Sequence, residues 1–258
     1  MKDILTKILE FKKSEVAESK KRIPQSEIER RPFPKCRDFK GALQQSGMSL
    51  IAEVKHRSPS AGVIQPDFDP VRIARMYDSS GADAVSVLTD AEFFGGSLDY
   101  LFRIRKAIRL PLLRKDFIID DYQIYEARAA GADAILLIVR ALSEYQLREF
   151  HALSRELGMA ALVEAHSANE VEAAVRSGAE IIGVNNRNLA TFQVDLQISI
   201  DLKKMMPDTV IAVSESGIKT GTDTARLAAA DFQAVLIGET LMRETSIREK
   251  IHELKGLK

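Results

Sequence analysis

A single cysteine, Cys36, is all the thiol the chain carries, so no internal disulfide can form, and a reducing cytoplasmic setting is expected. Net charge is missing as well. Thirty-seven basic residues cancel 37 acidic ones, which argues against a protein that holds nucleic acid or a membrane surface by bulk charge. No apolar run reaches the roughly 18 residues of a membrane span. The opening segment MKDILTKILEFKKSEVAESKKR is too charged for a secretory signal. Low-complexity stretches are absent. So are G-x-G-x-x-G, H-E-x-x-H and G-x-S-x-G, which removes the motif support for a dinucleotide fold, a zincin or a serine hydrolase. The four histidines, His56, His151, His166 and His252, show no metal-ligand spacing. A structural or solvent role is expected for each, with no metal and no cofactor. Acid–base chemistry built from Lys and Glu is what remains.

What the chain has is a repeat. SGADAVSVLTD (80–90), AGADAILLIVR (130–140) and SGAEIIGVNNR (177–187) share a Gly, a small residue, an acid and a short apolar run that ends in polar residues. AADFQAVLIGE (229–239) is a fourth copy without the Gly. Each reads as a helix closed by a C-terminal Gly and followed, after a very short loop, by a buried parallel strand. Apolar runs at 50–55, 111–115, 160–164 and 210–214 bring the candidate strands to eight. Helix-like stretches lie between them at 70–80, 97–109, 121–130, 143–157, 168–177, 195–206 and 219–230. Ser143 and Asp69-Pro70 mark helix starts, and Ser167 with Glu170 reads as a capping box. Eight β-α units in 258 residues favour an α/β fold of the (β/α)8 TIM-barrel type over an open doubly wound sheet. Residues 1–258 are expected to form one domain, with residues 1–47 as a helical extension. In that extension Ile4, Leu5, Ile8, Leu9, Phe11 and Val16 recur at helical spacing, so the helix should cap the barrel or meet a partner.

Side chains two apart on a strand share a face. By that parity Glu53 and Lys55 follow Ile51, Lys115 follows Leu113, Glu164 follows Leu162, Asn185 follows Gly183, and Glu215 follows Val213. Five strands therefore begin apolar and finish on an ionisable or amide group. In a barrel those ends converge on the mouth. Any one of them alone reads as a solvated loop residue or a structural ion pair. The set is harder to dismiss, because burying both signs of charge is costly unless they pair or serve a ligand.

Ser216-Gly217-Ile218 follows the seventh strand and Gly238-Glu239 the eighth. Barrels often bind phosphate there, through backbone N–H groups. Lys55, from the neighbouring first strand, can add a point charge. Glu239 would have to turn its side chain away. The loop Arg57-Ser58-Pro59-Ser60-Ala61-Gly62 is long enough to act as a lid. Phe94 and Phe117 suit a flat ring ligand, whereas Phe93 is expected to plug the barrel top.

These segments resemble a known family. IAEVKHRSPSAG (51–62), VLTDAEFFGGSL (87–98), LLRKDFIIDDYQIYEARAAGADAILLI (112–138), LVEAH (162–166), IIGVNNRNL (181–189), SESGI (214–218) and VLIGETLMR (235–243) look, in this order, like indole-3-glycerol phosphate synthase. The resemblance implies a barrel without cofactor that takes 1-(2-carboxyphenylamino)-1-deoxyribulose 5-phosphate to indole-3-glycerol phosphate, carbon dioxide and water in tryptophan biosynthesis. By similarity Lys115 would be the acid for ring closure and Glu164 would move protons in the dehydration. Glu53 would position Lys115 or share in proton transfer, and Asn185 and Glu215 would orient substrate and lysines. Lys55, Ser58, Ser216, Gly217, Gly238 and the backbone of Glu239 would hold phosphate, and Arg187 would face the carboxylate. Phe94, Phe117, Leu136 and Leu189 would wall the anthranilate ring.

The sequence departs from the family pattern at His56 and Ala61, where basic residues are frequent, at Ala165, and at Glu239. The second barrel fused to some relatives is not expected here. Burial is expected to lower the pKa of Lys115 and so sharpen it as an acid. A phosphorylated small molecule is the expected partner, with neither nucleic acid nor membrane, in a monomer or weak homo-oligomer. Two other readings stay open: an aminoribulose-phosphate isomerase on the same barrel, and a phosphate-sensing barrel without catalysis.

Overall fold

Why the repeats fold as they do is visible at their first residues. In the computed structural model, which describes residues 4–188 and 191–257, Gly81, Gly131 and Gly178 take left-handed backbone angles (φ 94°, 90° and 81°). The copy that lacks the Gly puts Asp231 in that conformation instead, at φ 60°, a region Asp tolerates better than most residues. The acid of the repeat has its own task. Asp83 accepts the Leu50 N–H at 2.7 Å and Asp133 accepts the Leu112 N–H at 2.8 Å. In the fourth copy Gln233 does the same for Ala212 at 2.8 Å. A carboxylate or amide at the foot of one strand thus satisfies the first donor of its neighbour and fixes the register between them.

The strands are β1 (Ser49–Val54), β2 (Ala84–Leu88), β3 (Leu112–Lys115), β4 (Ala134–Ile138), β5 (Ala160–Ala165), β6 (Ile181–Asn185), β7 (Ile211–Glu215) and β8 (Ala234–Ile237). They pair in sequence order, all parallel, and β8 returns to β1 to close the barrel. The main helices of the barrel wall are α4 (Pro70–Ser79), α6 (Leu98–Ala107), α7 (Asp121–Ala130), α8 (Glu144–Glu156), α9 (Ala168–Arg176), α10 (Gln197–Lys203), α11 (Gly221–Ala228) and α13 (Ile247–Lys255). Two short helices, α5 (Ala91–Phe94) and α12 (Glu239–Arg243), stand at the ends of β2 and β8. No helix among the described residues is long and apolar enough to cross a membrane.

Strand parity divides two cores. Ile51, Leu113, Leu136, Leu162, Ile181, Val213 and Leu236 fill the barrel, while Leu50, Val85, Ile135, Val163, Ile182 and Val235 face the surrounding helices. The extension serves both ends. Phe39 and Leu43, in and just after α3 (Phe39–Ala42), join the inner core. Helices α1 (Ile4–Arg22) and α2 (Gln25–Glu29) pack through Val16 and Ile28 on Tyr122 of α7.

Two local expectations are corrected. Ser167 caps α9 without a side-chain bond to the helix backbone. Glu170 reaches back to the N–H of His166 instead, at 2.9 Å, and the reciprocal boxes are Ser143–Gln146 and Thr220–Asp223. Phe93 does not plug the barrel. It is half-buried and stands edge-on to Phe11 of α1, with ring centroids 5.9 Å apart, so it holds the extension.

Candidate active site

At the C-terminal ends of the strands the inward parity that filled the core with aliphatics delivers charges. Lys115 Nζ lies 3.1 Å from Glu164 Oε2 and 3.5 Å from Glu215 Oε2. Lys55 Nζ is 2.7 Å from Glu53 Oε1. Asn185 donates to Glu164 Oε1 at 3.3 Å and uses its Oδ1 to accept the Arg187 backbone N–H. The three glutamates are buried. Room for two of them comes from glycines: a Cβ on Gly183 would strike the Glu215 carboxylate, and one on Gly238 would strike that of Glu53.

The electrostatics follow from this crowding. Burial pushes the Glu215 carboxyl up and Lys115 pulls it down, but with Glu164 and Glu53 close by it ends at about 8. Burial also penalises the Glu164 anion. There Lys115, His166 and the bonds from Lys115 and Asn185 win, and the group is lowered to about 2. At neutral pH the cluster therefore holds an ionised Glu164 beside a protonated Glu215. The expectation for Lys115 is overturned. Burial does lower it, but Glu164, Glu215 and Glu53 together raise it above its ordinary value. The sequence argument placed the three glutamates at the same rim but let desolvation outweigh them.

On the far side of the cleft Ser216 and Gly217 take successive left-handed conformations (φ 68° and 83°). A Cβ on Gly217 would run into Val194. The unusual conformation of Ser216 is supported from behind by Asn186, whose amide donates to the carbonyls of Glu215 and Ser216 at 3.0 and 3.1 Å. Glu239 opens α12, and its carboxylate accepts from Arg243 Nε at 3.0 Å, with Arg187 3.9 Å away. Ser58 is buried in a short hairpin formed by Arg57–Ser58 and Gly62–Val63. Phe94 and Phe117 face each other with centroids 6.0 Å apart, and Leu136 lies on the inner face of β4.

One cleft gathers Glu53, Lys55, Ser58, Phe94, Lys115, Phe117, Leu136, Glu164, Asn185, Arg187, Glu215, Ser216, Gly217, Gly238 and Glu239. Every residue expected at the site from the sequence is in that set except Leu189, which lies outside the described residues. Ile4, Leu5 and Ile8 of α1 also line the cleft. The N-terminal helix thus lies over the mouth, one of the two places the sequence allowed for it.

Residues the sequence reading passed over stand just behind this surface. Lys12 of α1 is fully buried, 2.9 Å from Asp90, 3.0 Å from Asp116 and 3.0 Å from Glu15. Burial would depress its ammonium, and Asp116, Asp90 and Glu15 more than reverse that. The signal was present: Ile8, Lys12 and Val16 are spaced by four, so the lysine sits on the apolar stripe. Asp116 accepts the Phe117 N–H at 2.8 Å and pairs with the buried Arg114 at 3.1 Å. His166 lies behind Glu164, 3.5 Å from its Oε1. Nothing in its spacing marked it out.

Solved structures similar in fold include thiamine phosphate pyrophosphorylase from Pyrococcus furiosus (TM-score 0.60, 15% identity, 81% of this chain and 94% of that one). N-acetylmannosamine-6-phosphate 2-epimerase from Clostridium perfringens is another (0.63, 12%, 80% and 93%). At such identities they speak for the barrel alone. The sequence comparisons reach further. Proteins named indole-3-glycerol phosphate synthase from Chlorobium limicola and Desulfotalea psychrophila are 54% and 48% identical over 241 and 257 residues. These alignments cover 92% and 98% of this chain, and 93% and 99% of the relatives. The model of the family described as indole-3-glycerol phosphate synthase matches residues 5–254. With relatives at this identity aligned across almost their whole length, the chain belongs to the indole-3-glycerol phosphate synthase family.

Proposed function

We propose that this chain closes the indole ring of indole-3-glycerol phosphate with Lys115 as the acid and Glu164 as the base, working as a coupled pair. Binding comes first. The substrate is a phosphate dianion at one end and a carboxylate at the other. Ser216, Gly217 and Gly238 offer backbone donors to the phosphate, with Lys55 and Ser58 beside them. Arg243 holds the Glu239 carboxylate to one side, which leaves the backbone of Glu239 to face the anion. Arg187 meets the carboxylate. The facing rings of Phe94 and Phe117, with Leu136, take the anthranilate ring between apolar walls.

Chemistry then uses the charge pattern. Lys115, held charged by the carboxylates of Glu164 and Glu53, gives its proton to the ketone oxygen as the new carbon–carbon bond forms. The carboxylate leaves as carbon dioxide. Once Lys115 is neutral, the strongest pull on Glu164 is gone, and its carboxylate becomes a better base for the proton that must leave as water is expelled. Glu215, largely neutral at pH 7 with its pKa near 8, adds little further negative charge beside the anionic substrate. Glu53 keeps Lys55 in place through their 2.7 Å pair.

The observation that carries this reading is the Lys115–Glu164 pair at 3.1 Å, flanked by Asn185 and Glu215, in one cleft with the Ser216–Gly217 bend. The test is turnover of the carboxyphenylamino substrate, followed by indole fluorescence. Lys115→Ala is expected to lose about 100-fold or more in kcat, the usual span for a positioned proton donor. Indole product formed at the parent rate by Lys115→Ala would remove Lys115 from the chemistry.

A further inference from the structure

His166 closes β5 with its ring between two carboxylates. Nε2 lies 3.5 Å from Glu164 Oε1, and Nδ1 lies 3.4 Å from Glu170 Oε2, on α9. The side chain is 10% exposed, and Nε2 is buried without a hydrogen-bond partner. A neutral imidazole carries one N–H and so can serve one of these carboxylates; the imidazolium serves both. Glu170 is itself fixed by the His166 backbone N–H at 2.9 Å and by Ser167 Oγ at 3.2 Å, with Arg140 4.0 Å away. Burial pushes its carboxyl up, and the ring and backbone of His166 pull it below its ordinary value, so Glu170 stays an anion that anchors Nδ1–H. The other facing groups are Glu164 on the same strand and, 3.1 Å beyond it, Lys115 of β3. The arrangement leaves one site for an extra proton, Nε2, and one acceptor for it, Glu164.

The reaction proposed above needs such a proton. A substrate carboxylate leaves as neutral carbon dioxide and a hydroxyl leaves as water, so each turnover consumes one proton. Lys115 gives one and Glu164 receives one, and exchange between them restores that pair but supplies nothing for the departing water. We propose that His166 is the proton donor that recharges the Lys115–Glu164 pair. The imidazolium passes its Nε2 proton to the Glu164 carboxylate, and Glu164 passes it to the neutral Lys115 amine. The imidazole keeps Nδ1–H on Glu170 and regains its proton from solvent between turnovers. His166 touches Glu164 and not the substrate, so it is a positioning and proton-supplying residue. The inference rests on the assignment of Glu164 as the base.

The experiment compares parent enzyme, His166→Gln, His166→Asn and Glu164→Gln in steady state and in single turnovers, with a pH indicator to follow proton uptake. His166→Gln and His166→Asn are expected to lose about tenfold in kcat, less than a primary acid or base would. KM should hold within about twofold, and added imidazole should restore the rate in proportion to its protonated form. Two variants of different size separate a packing defect from loss of the proton, since a packing defect is not rescued by imidazolium. Parent-like kcat and an unchanged pH profile in both variants would overturn the proposal. So would a loss that imidazole leaves untouched. If Glu164→Gln turns over like the parent, the assignment of Glu164 falls. If Glu164→Gln is inactive while both His166 variants behave like the parent, only the donor role falls.

Discussion

Replacing Lys12 by Met keeps the aliphatic stem in its slot and removes the charge from beneath the mouth. Asp116 would keep Arg114 at 3.1 Å and the hydroxyl of Thr89. Asp90 would keep the N–H groups of Phe93 and Phe94 on Oδ1, at 2.7 and 3.2 Å, but its Oδ2 would lose the cation 2.9 Å away. Breaking a buried ion pair by removing one partner costs roughly 3–5 kcal/mol. Because Asp116 stays compensated, the lower end applies, about 3 kcal/mol, centred on Asp90. The pH dependence has a definite sign. Burial works against the Asp116 anion, and Arg114 and then Lys12 hold its pKa down near 2. The stability this contributes is present above the ordinary Asp value and is lost only as pH falls through about 2. In the variant, protonation of a carboxylate relieves the uncompensated charge at higher pH, so the gap between variant and parent should narrow from pH 7 towards pH 4. Denaturant unfolding at the two pH values reads the gap, and amide exchange in α1 shows whether the helix lifts first. A loss below about 1 kcal/mol at pH 7, with α1 as protected as in the parent, would refute the view that this buried lysine anchors the roof.

Glu215→Gln puts a neutral amide where the carboxyl is already protonated at neutral pH. The parent's folded pKa of about 8 lies above the unfolded value, so its stabilising share is complete below the unfolded value and is lost as pH climbs through about 8. The stability of the parent should therefore drop relative to the variant across that window, on the order of 1.4 kcal/mol per pH unit at most; parallel curves would count against it. Gly183→Ala drives a methyl into Glu215 and towards Leu162, and about 1–3 kcal/mol of overpacking is expected together with a fall in kcat. Thermal melts beside turnover would expose a harmless substitution. Asn186→Ala strips the donors from the Glu215 and Ser216 carbonyls and leaves Ser199 Oγ without the acceptor it meets at 2.7 Å. About 1–3 kcal/mol should be lost, with KM rising more than kcat falls, because the Ser216 bend is the part released.

The barrel was legible because its information is local and periodic. Gly, small residue and acid recur at the foot of strands, and parity along each strand names its inner residues. The same parity found Glu53, Lys115, Glu164, Asn185 and Glu215, since a strand's end inherits the direction of its body. What stayed hidden depends on three-dimensional neighbours. Lys12 meets Asp90 and Asp116 only after α1 lies across the mouth. Asn186 faces outward by parity, yet it braces Ser216 from behind. Phe93 and Phe94 are adjacent in sequence but are assigned to the extension and to the cleft by the turn of α5.

The pKa of Lys115 was misjudged for a different reason, since its acidic neighbours were named by parity but burial was taken to outweigh them, and the correction changes how the site must operate. A lysine raised by the carboxylates around it, Glu164 first, is a poor acid at rest, so its strength cannot be a fixed property of the empty cleft. It has to appear when the substrate's own charge develops beside it, and it must then pass to Glu164 as basicity. Glu164→Gln separates these halves. The leading carboxylate on Lys115 becomes neutral, and the ammonium pKa should fall towards its ordinary value or below it, since burial then acts with less opposition. Single-turnover ring closure in the variant should gain a falling limb at alkaline pH that the parent lacks in the same range, while the later loss of water slows about 100-fold or more. If the alkaline behaviour of ring closure is identical in parent and variant, Glu164 does not set the charge on Lys115. The acid and the base would then have to be treated as independent groups that merely share a cleft.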